Sequence, residues 1–434
     1  MDIAYYEPDH EGLADPAVIA LASLTGFYFA FRLFIMLLSV RLLGTDPQTG
    51  AELNLGFNIL LLLAVALQTL GTPGAAKPAL MRLPTVRWVV LFLAFSCCSL
   101  VWSVTASLPA AIAYWCGMAA DVAIVILLVR ASHVVDVTDA LMKGYLWGAC
   151  VASGIAWLLP AQSDLRLGDE DLLGANQIGY LCAFAFFFAQ YRMRVRGARG
   201  MLTAGVLAIT LLRTLSKTTI VAFVVAEVFF LIRDKSLARR TKWMIAAVAS
   251  IIILLFWSLL SSYFDVYVST GTGNNAETLT GRVDIWAVLL SEAIQRPWFG
   301  HGFHSVWKVI PSFGEFEARH AHNEFLQQFY AYGVIGIILT IGLYGSLYRR
   351  VRKLKQVPLK IFVTTFLIFV LVRGLAESDP FDLSLPLWAI VIFSLLIQNE
   401  LAPKTSLTTT ASVTAAEGRV SFEVAPYSVN VIPL

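Results

Sequence analysis

HAHNEFLQQFYAYGVIG, residues 320–336, sets two imidazoles and an asparagine amide directly before a run that stays apolar to about residue 348. A bilayer core takes ~20 apolar residues to cross as a helix, so the stretch reads as the mouth of a membrane span with polar groups at its rim. A window of ~19 residues moved along the rest of the chain finds about twelve such segments. They lie near residues 17–40, 53–71, 86–105, 109–130, 140–160, 174–191, 200–214, 216–232, 242–261, 325–348, 359–376 and 382–399. With 58% hydrophobic and only 14% charged residues, and mean hydropathy +0.72, the expected class is an all-α polytopic membrane protein, not a soluble domain. The seventh and eighth segments are short and divide at RTLSKTT. Joined into one span they would hold Arg213 and Lys217 at mid-bilayer, at ~3 kcal/mol each.

Charge orients the bundle. Four connections are basic: 72–87 with Lys77, Arg82 and Arg87; 191–200 with Arg192, Arg194, Arg196 and Arg199; 233–242 with Arg233, Lys235, Arg239, Arg240 and Lys242; and 349–360 with Arg349, Arg350, Arg352, Lys353, Lys355 and Lys360. The positive-inside rule makes them cytoplasmic, and with twelve spans both termini fall on that side too. The expected divisions are an acidic cytoplasmic start at 1–16, nine helices over 17–261, one long outer loop at 262–324, three helices over 325–399, and a loose tail at 400–434 rich in Thr, Ser, Ala and Val. The acidic start argues against a cleaved signal peptide. Cys97, Cys98, Cys116, Cys150 and Cys182 all fall inside predicted spans and form no metal or disulfide pattern, so they read as small buried apolar residues.

The long loop concentrates the chemistry. A Gly/Asn/Thr-rich arm, STGTGNNAETLTG (269–281), leads into a predicted amphipathic helix, RVDIWAVLLSEAI (282–294), with Val283, Trp286, Leu289, Leu290 and Ala293 on one face. RPWFGHGF (296–303) then reads as a tight turn. His301, His304, His320 and His322, four of the chain's six histidines, follow within the loop's second half. A metal site is disfavoured because residues two apart on a helix do not share a face and no carboxylate or cysteine completes a known spacing. Hydrogen bonding to loop backbone and general-base chemistry both remain open. Arg282, at the positive end of a helix, is unfavourable there unless an anion shares the site, which suits a phosphate better than Asp284 two residues on. Arg213 and Lys217, four apart, are expected on one outward-facing surface, holding an anion or snorkelling to lipid headgroups.

These motifs resemble the O-antigen ligase and Wzy-type polymerase superfamily. His322-Asn323, nine residues, then Gly333-Val334-Ile335-Gly336 is similar to its His-Asn-x9-GxxG signature, and TGRVDIW and RPWFGHGF lie in the same order. RLGDEDLLGANQIGY (166–180) and LSKTTIVAF (215–223) resemble two further segments, and VRGLAESDPFDLSLPLW (372–388) looks like the C-terminal segment of exopolysaccharide polymerases. The resemblance covers roughly residues 166–390, about half the chain. It implies a GT-C-type membrane glycosyltransferase of the bacterial inner membrane, working without metal or other cofactor. Such an enzyme inverts a glycan's anomeric carbon as it transfers the glycan from undecaprenyl pyrophosphate on the periplasmic face. His322 takes the position of the catalytic histidine, Arg282 that of a pyrophosphate-contacting arginine, and Lys217 stands where many members carry a second arginine. Because lysine is a point charge without a bidentate fork, the division of that role between Lys217 and Arg213 stays open. Asn323, Arg166, Asn176 and His301 are expected to contact substrate.

The acceptor separates two readings: a polymerase joins glycan to glycan, whereas an O-antigen ligase joins it to lipid A core or to protein. The SKT and RGLAES segments favour the polymerase, which would act beside a flippase and a chain-length regulator. A transporter or flippase is the different class, and would show internal repeats and charges near the midplane, whereas the polar residues here gather in outer loops. Nothing in the basic pattern calls for nucleic acid.

Overall fold

The computed structural model describes residues 15–70, 80–160, 162, 166–169, 171–197, 200–235, 237–255, 261, 279–307, 320–355, 357–379 and 381–402. The acidic start, Lys77, Arg199, most of the Gly/Asn/Thr arm and nearly all of the tail lie outside them. The described residues form α1 (Pro16–Leu43), α2 (Pro47–Leu70), α3 (Pro84–Ser99), α4 (Leu108–Ala131), α5 (Val134–Leu158), α6 (Ala175–Arg196), α7 (Met201–Arg213), α8 (Lys217–Arg233), α9 (Arg239–Leu255), α10 (Leu279–Ala293), α11 (Glu324–Lys353), α12 (Val357–Gly374) and α13 (Leu387–Leu401). Twelve stand where the apolar segments lie in the sequence, and α10 is the helix expected in the long loop. By length and composition, five can cross a membrane as they stand: α1, α2, α3 with its 3-10 extension to Trp102, α4 and α11. With several apolar helices of this kind, the chain is a multi-pass membrane protein.

Local chemistry sets the helix ends. Proline opens α1, α3 and α4, where its missing N–H costs nothing, and the side chains of Asp15 and Ser107 cap α1 and α4. Where hydropathy alone mislocates an end, backbone polarity explains it. α2 begins six residues earlier than predicted, behind Asp46, whose carboxylate accepts from the N–H groups of Gln48 and Thr49. α6 and α11 run on into connections predicted as basic loops, so Arg194, Arg196, Arg350, Arg352 and Lys353 lie in last helical turns, where the dipole is negative. The last helix starts at Leu387 instead of 382, because Pro386 sets its N-terminus and Asp382 accepts from the backbone of Leu383 and Leu387 in a turn.

Small residues let backbones meet, as membrane helices require. A Cβ on Gly26 of α1 would stand 1.9 Å from the Leu141 carbonyl oxygen, and one on Gly144 of α5 would stand 1.8 Å from that of Ser23. Beside this seam Arg32 of α1 pairs with Asp121 of α4 at 2.5 Å, and Asn58 of α2 donates to the same carboxylate at 3.0 Å, satisfying a buried charge from both neighbours. Phenylalanines packed edge-to-face or tilted, among them Phe184, Phe187, Phe366 and Phe393, join α6, α12 and α13.

The predicted apolar face of the loop helix is rotated. Ile285, Leu289 and Ala293 are buried against Val306, Ala321 and Tyr330, whereas Val283 and Leu290 are exposed. Trp286 donates its indole N–H to the Ala321 carbonyl at 2.9 Å and so fixes α10 to the histidine loop.

Candidate active site

The HAHN segment is not helical. It is a turn ahead of α11, in which Asn323 is the N-cap and accepts from the Leu326 N–H at 3.0 Å. The Asn323 amide N–H2 donates to the Leu375 carbonyl at 3.0 Å, so both ends of this side chain serve the backbone. His322 sits at φ 50, a conformation uncommon outside glycine, and is thereby turned toward the loop after α12.

Glu377 waits there. Its Oε1 lies 3.1 Å from Nδ1 of His322 and 3.4 Å from Nδ1 of His320, while Oε2 accepts from the Asn176 amide at 2.6 Å. Arg282 reaches the same Oε2 at 3.7 Å and donates to the Ala376 carbonyl at 2.6 Å and to Thr218 at 3.2 Å. Arg166 donates to Asn176 Oδ1 at 2.8 Å, and so does the Ser216 hydroxyl at 2.7 Å. Lys217 lies within electrostatic reach of Arg166 and Arg282. His322, Arg282 and Asn176, read separately in the sequence, thus converge on one carboxylate that sequence reading left without a role, with Arg166 and Lys217 around them and Asn323 holding the turn that carries His322. The signal was present in the quoted VRGLAES segment, but nothing in spacing relates residue 377 to residue 322.

Burial works to raise the pKa of Glu377, but the His322 imidazole, the hydrogen bond from it and the Arg373 guanidinium outweigh burial and hold the carboxyl below its usual range. Glu377 is therefore an anion across the neutral range. Burial, with His322, Arg373 and Arg282 adding to it, pushes His320 down to about 3, so that ring is neutral. An anionic Glu377 on Nδ1 favours the tautomer with its proton there, which makes Nε2 the basic nitrogen of His322.

Helix polarity adds to the field. Asn176 is the second residue of α6, Lys217 the first of α8, Arg282 lies in the first turn of α10, and α11 starts behind Asn323. Four helix N-termini, each with a partial positive charge, thus lie around Glu377 and its partners, an arrangement that attracts anions.

The glycine signature also has a physical account. Gly333 interrupts α11 at φ 66, ψ −155, which turns the Tyr330 and Ala331 carbonyls out of the helix. They accept from the N–H groups of His301 and Gly302 at 2.9 and 2.8 Å, and the Val334 N–H donates to the Pro297 carbonyl at 2.7 Å. RPWFGHGF is therefore the clamp that satisfies the break in the GxxG helix.

Three expectations need correction. Among the contacts of the described residues, none brings His301 to Glu377: its ring stacks on Tyr330 with centroids 4.3 Å apart and it is buried in the clamp. Arg213 and Lys217 do not share a helix face, because Arg213 ends α7, Lys217 starts α8 and Leu215 between them is left-handed at φ 52. The spacing argument against metal assumed His320 and His322 on a helix without a carboxylate. In the turn, ligand atoms of His320, His322 and Glu377 lie within 4.8 Å of one another, close enough for an ion, although Arg282, Arg166, Lys217 and the helix ends make the surroundings cationic. The anion at the start of α10 that Arg282 calls for is Glu377, not Asp284.

Parts of the chain are similar to known proteins. Residues 201–341 match the O-antigen ligase family. Over 100 residues the chain is 32% identical to the O-antigen ligase of Pseudomonas aeruginosa, covering 23% of this chain and 25% of that protein. Over 297 residues it is 24% identical to the exopolysaccharide production protein ExoQ of Rhizobium meliloti, covering 62% of this chain and 66% of that protein. The matches thus span a quarter of one relative and just under two thirds of the other. The family region holds Lys217, Arg282, His322 and the Gly333 break, and ends before Glu377. Over residues 201–341 the chain is thus similar to the O-antigen ligases, and over a longer stretch it is similar to a protein of exopolysaccharide production.

Proposed function

We propose that the protein is a GT-C-type, inverting glycosyltransferase of the bacterial inner membrane that polymerises a surface polysaccharide on the periplasmic face. The donor is a glycan on undecaprenyl pyrophosphate and the acceptor is the hydroxyl of another glycan. His322 Nε2 takes the proton as the acceptor oxygen bonds to the anomeric carbon, and the bond from that carbon to the pyrophosphate breaks with its electron pair passing to the leaving phosphate. Arg282, Lys217 and the four helix N-termini stabilise the charge that collects there, with Arg166 and Asn176 bracing the same wall. Glu377 holds the His322 ring and tautomer. The observation that carries this reading is the His322–Glu377 pair inside a cationic frame.

The polymerase reading draws on the longer match, to a protein named for exopolysaccharide production. Ligation to lipid A core is the second reading, favoured by the shorter and more identical match to an O-antigen ligase. The test is turnover of a lipid-pyrophosphate glycan by purified protein with chelator present. Wild type should stay active, and His322→Ala should lose ~100-fold or more. Products that lengthen on a lipid-linked glycan support the polymerase, and products formed only on lipid A core support the ligase. Loss of wild-type activity on chelation would instead make His320, His322 and Glu377 metal ligands, and normal turnover by His322→Ala would place the base elsewhere.

A further inference from the structure

About 24 Å along α6 from Asn176, where the helix ends in arginines, a cavity of about 260 Å³ opens between α5, α6 and the start of α7. Leu146, Cys150, Ala189 and Met193 make its apolar wall, and Lys143 and Arg192 stand at its polar end. Lys143, Trp147 and Cys150 recur at helical spacing on one face of α5, and Trp147 is 63% exposed.

The charges at the polar end do not cancel. Arg192 is held by Asp139 at 2.8 Å, and Arg196 by Asp136 at 3.4 Å with Asp139 at 3.9 Å. Lys143 makes no hydrogen bond or ion pair among the described residues. Of the two cations lining the cavity, Arg192 is thus held by a carboxylate and Lys143 is not. A cavity with this wall in a membrane helix bundle is filled by hydrocarbon in preference to water. Its uncompensated lysine has a stem long enough to reach the headgroup level, and the tryptophan one turn away is a residue suited to that interface.

We propose that this cavity binds an anionic glycerophospholipid of the leaflet facing the basic helix ends, with its phosphate on Lys143 and one acyl chain along Leu146 and Cys150. The proposal rests on the membrane placement and is independent of the transfer chemistry at His322. Cys150, half-buried in the wall, reports occupancy directly. The full chain is purified in detergent, supplemented with phosphatidylglycerol or phosphatidylcholine, and alkylated, with the rate at Cys150 read by peptide mass spectrometry. Phosphatidylglycerol should protect Cys150 at lower concentration than phosphatidylcholine. Lys143→Ala should weaken that protection about fivefold, and Lys143→Arg should retain it. Equal protection by the two lipids, or an unchanged Lys143→Ala, overturns the proposal. So does protection by inorganic phosphate without lipid, which would assign the polar end to a free anion.

Discussion

At the scale of single residues, Glu377 links His322, the proposed base, to Arg282 and Asn176, since one oxygen meets His322 and the other is held by Asn176 and Arg282. Glu377→Gln keeps the shape but removes the anion that selects the tautomer, so turnover should fall by ~100-fold or more while donor binding stays close to wild type. The carboxyl's depressed pKa means that its contribution to stability is present above the ordinary value of 4.5 and is lost as pH falls through the lower folded value. Thermal unfolding of wild type should therefore fall more steeply below that pH than that of Glu377→Gln. Parallel curves would show that the pair does not stabilise the fold. Lys217 acts as a point charge, so Lys217→Arg should be nearly silent, whereas Lys217→Ala should lose roughly 10- to 150-fold in turnover, the worth of a charged hydrogen bond. Full activity of Lys217→Ala would assign the lysine to lipid headgroups. His322 and Arg282 were legible because their motifs are local and ordered in the chain. Glu377 was not, since its contact with His322 spans 55 residues and a carboxylate in a loop has no pattern of its own.

At the scale of elements, the break in α11 can be separated from its length. Gly333 sits at φ 66, and a Cβ there would stand 2.4 Å from the Trp298 carbonyl carbon, so Gly333→Ala meets both backbone strain, ~1–3 kcal/mol, and a clash with the clamp. At Gly345, three turns further along the same helix, an added Cβ would meet nothing within 4 Å, so Gly345→Ala should be neutral or stabilising by up to ~1 kcal/mol. Unfolding of the two variants in detergent should shift in opposite directions, and a common direction would argue that the break is incidental. Hydropathy placed twelve of the helices because burial in a bilayer demands long apolar runs. It could not give the face of α10, whose partners Val306, Ala321 and Tyr330 lie elsewhere in the chain, nor the basic ends of α6 and α11, where helix capping outweighs apolarity.

At the scale of the whole molecule, α6, α8 and α11 each begin beside Glu377 and end in arginine or lysine. One end of the bundle therefore gathers helix N-termini, His322 and Arg282, and the other gathers C-terminal cations that complement the negative ends of the dipoles. The positive-inside rule assigns the second end to the cytoplasm, from loop charge alone. In the proposed reading that orientation puts the anion site on the outer face, with the pyrophosphate of a lipid carrier at the membrane surface and its glycan in water. Reporter fusions after Arg196, Lys235 and Lys353 should accordingly give a cytoplasmic signal, and a fusion at Asn274, in the arm that leads to α10, a periplasmic one. The helix polarity makes the four results interdependent, because α6, α8 and α11 point the same way and cannot be inverted singly. A cytoplasmic signal at Asn274 alongside cytoplasmic signals at the other three would overturn both the orientation and the periplasmic site. Four reversed signals would keep the bundle and move the chemistry to the cytoplasmic face.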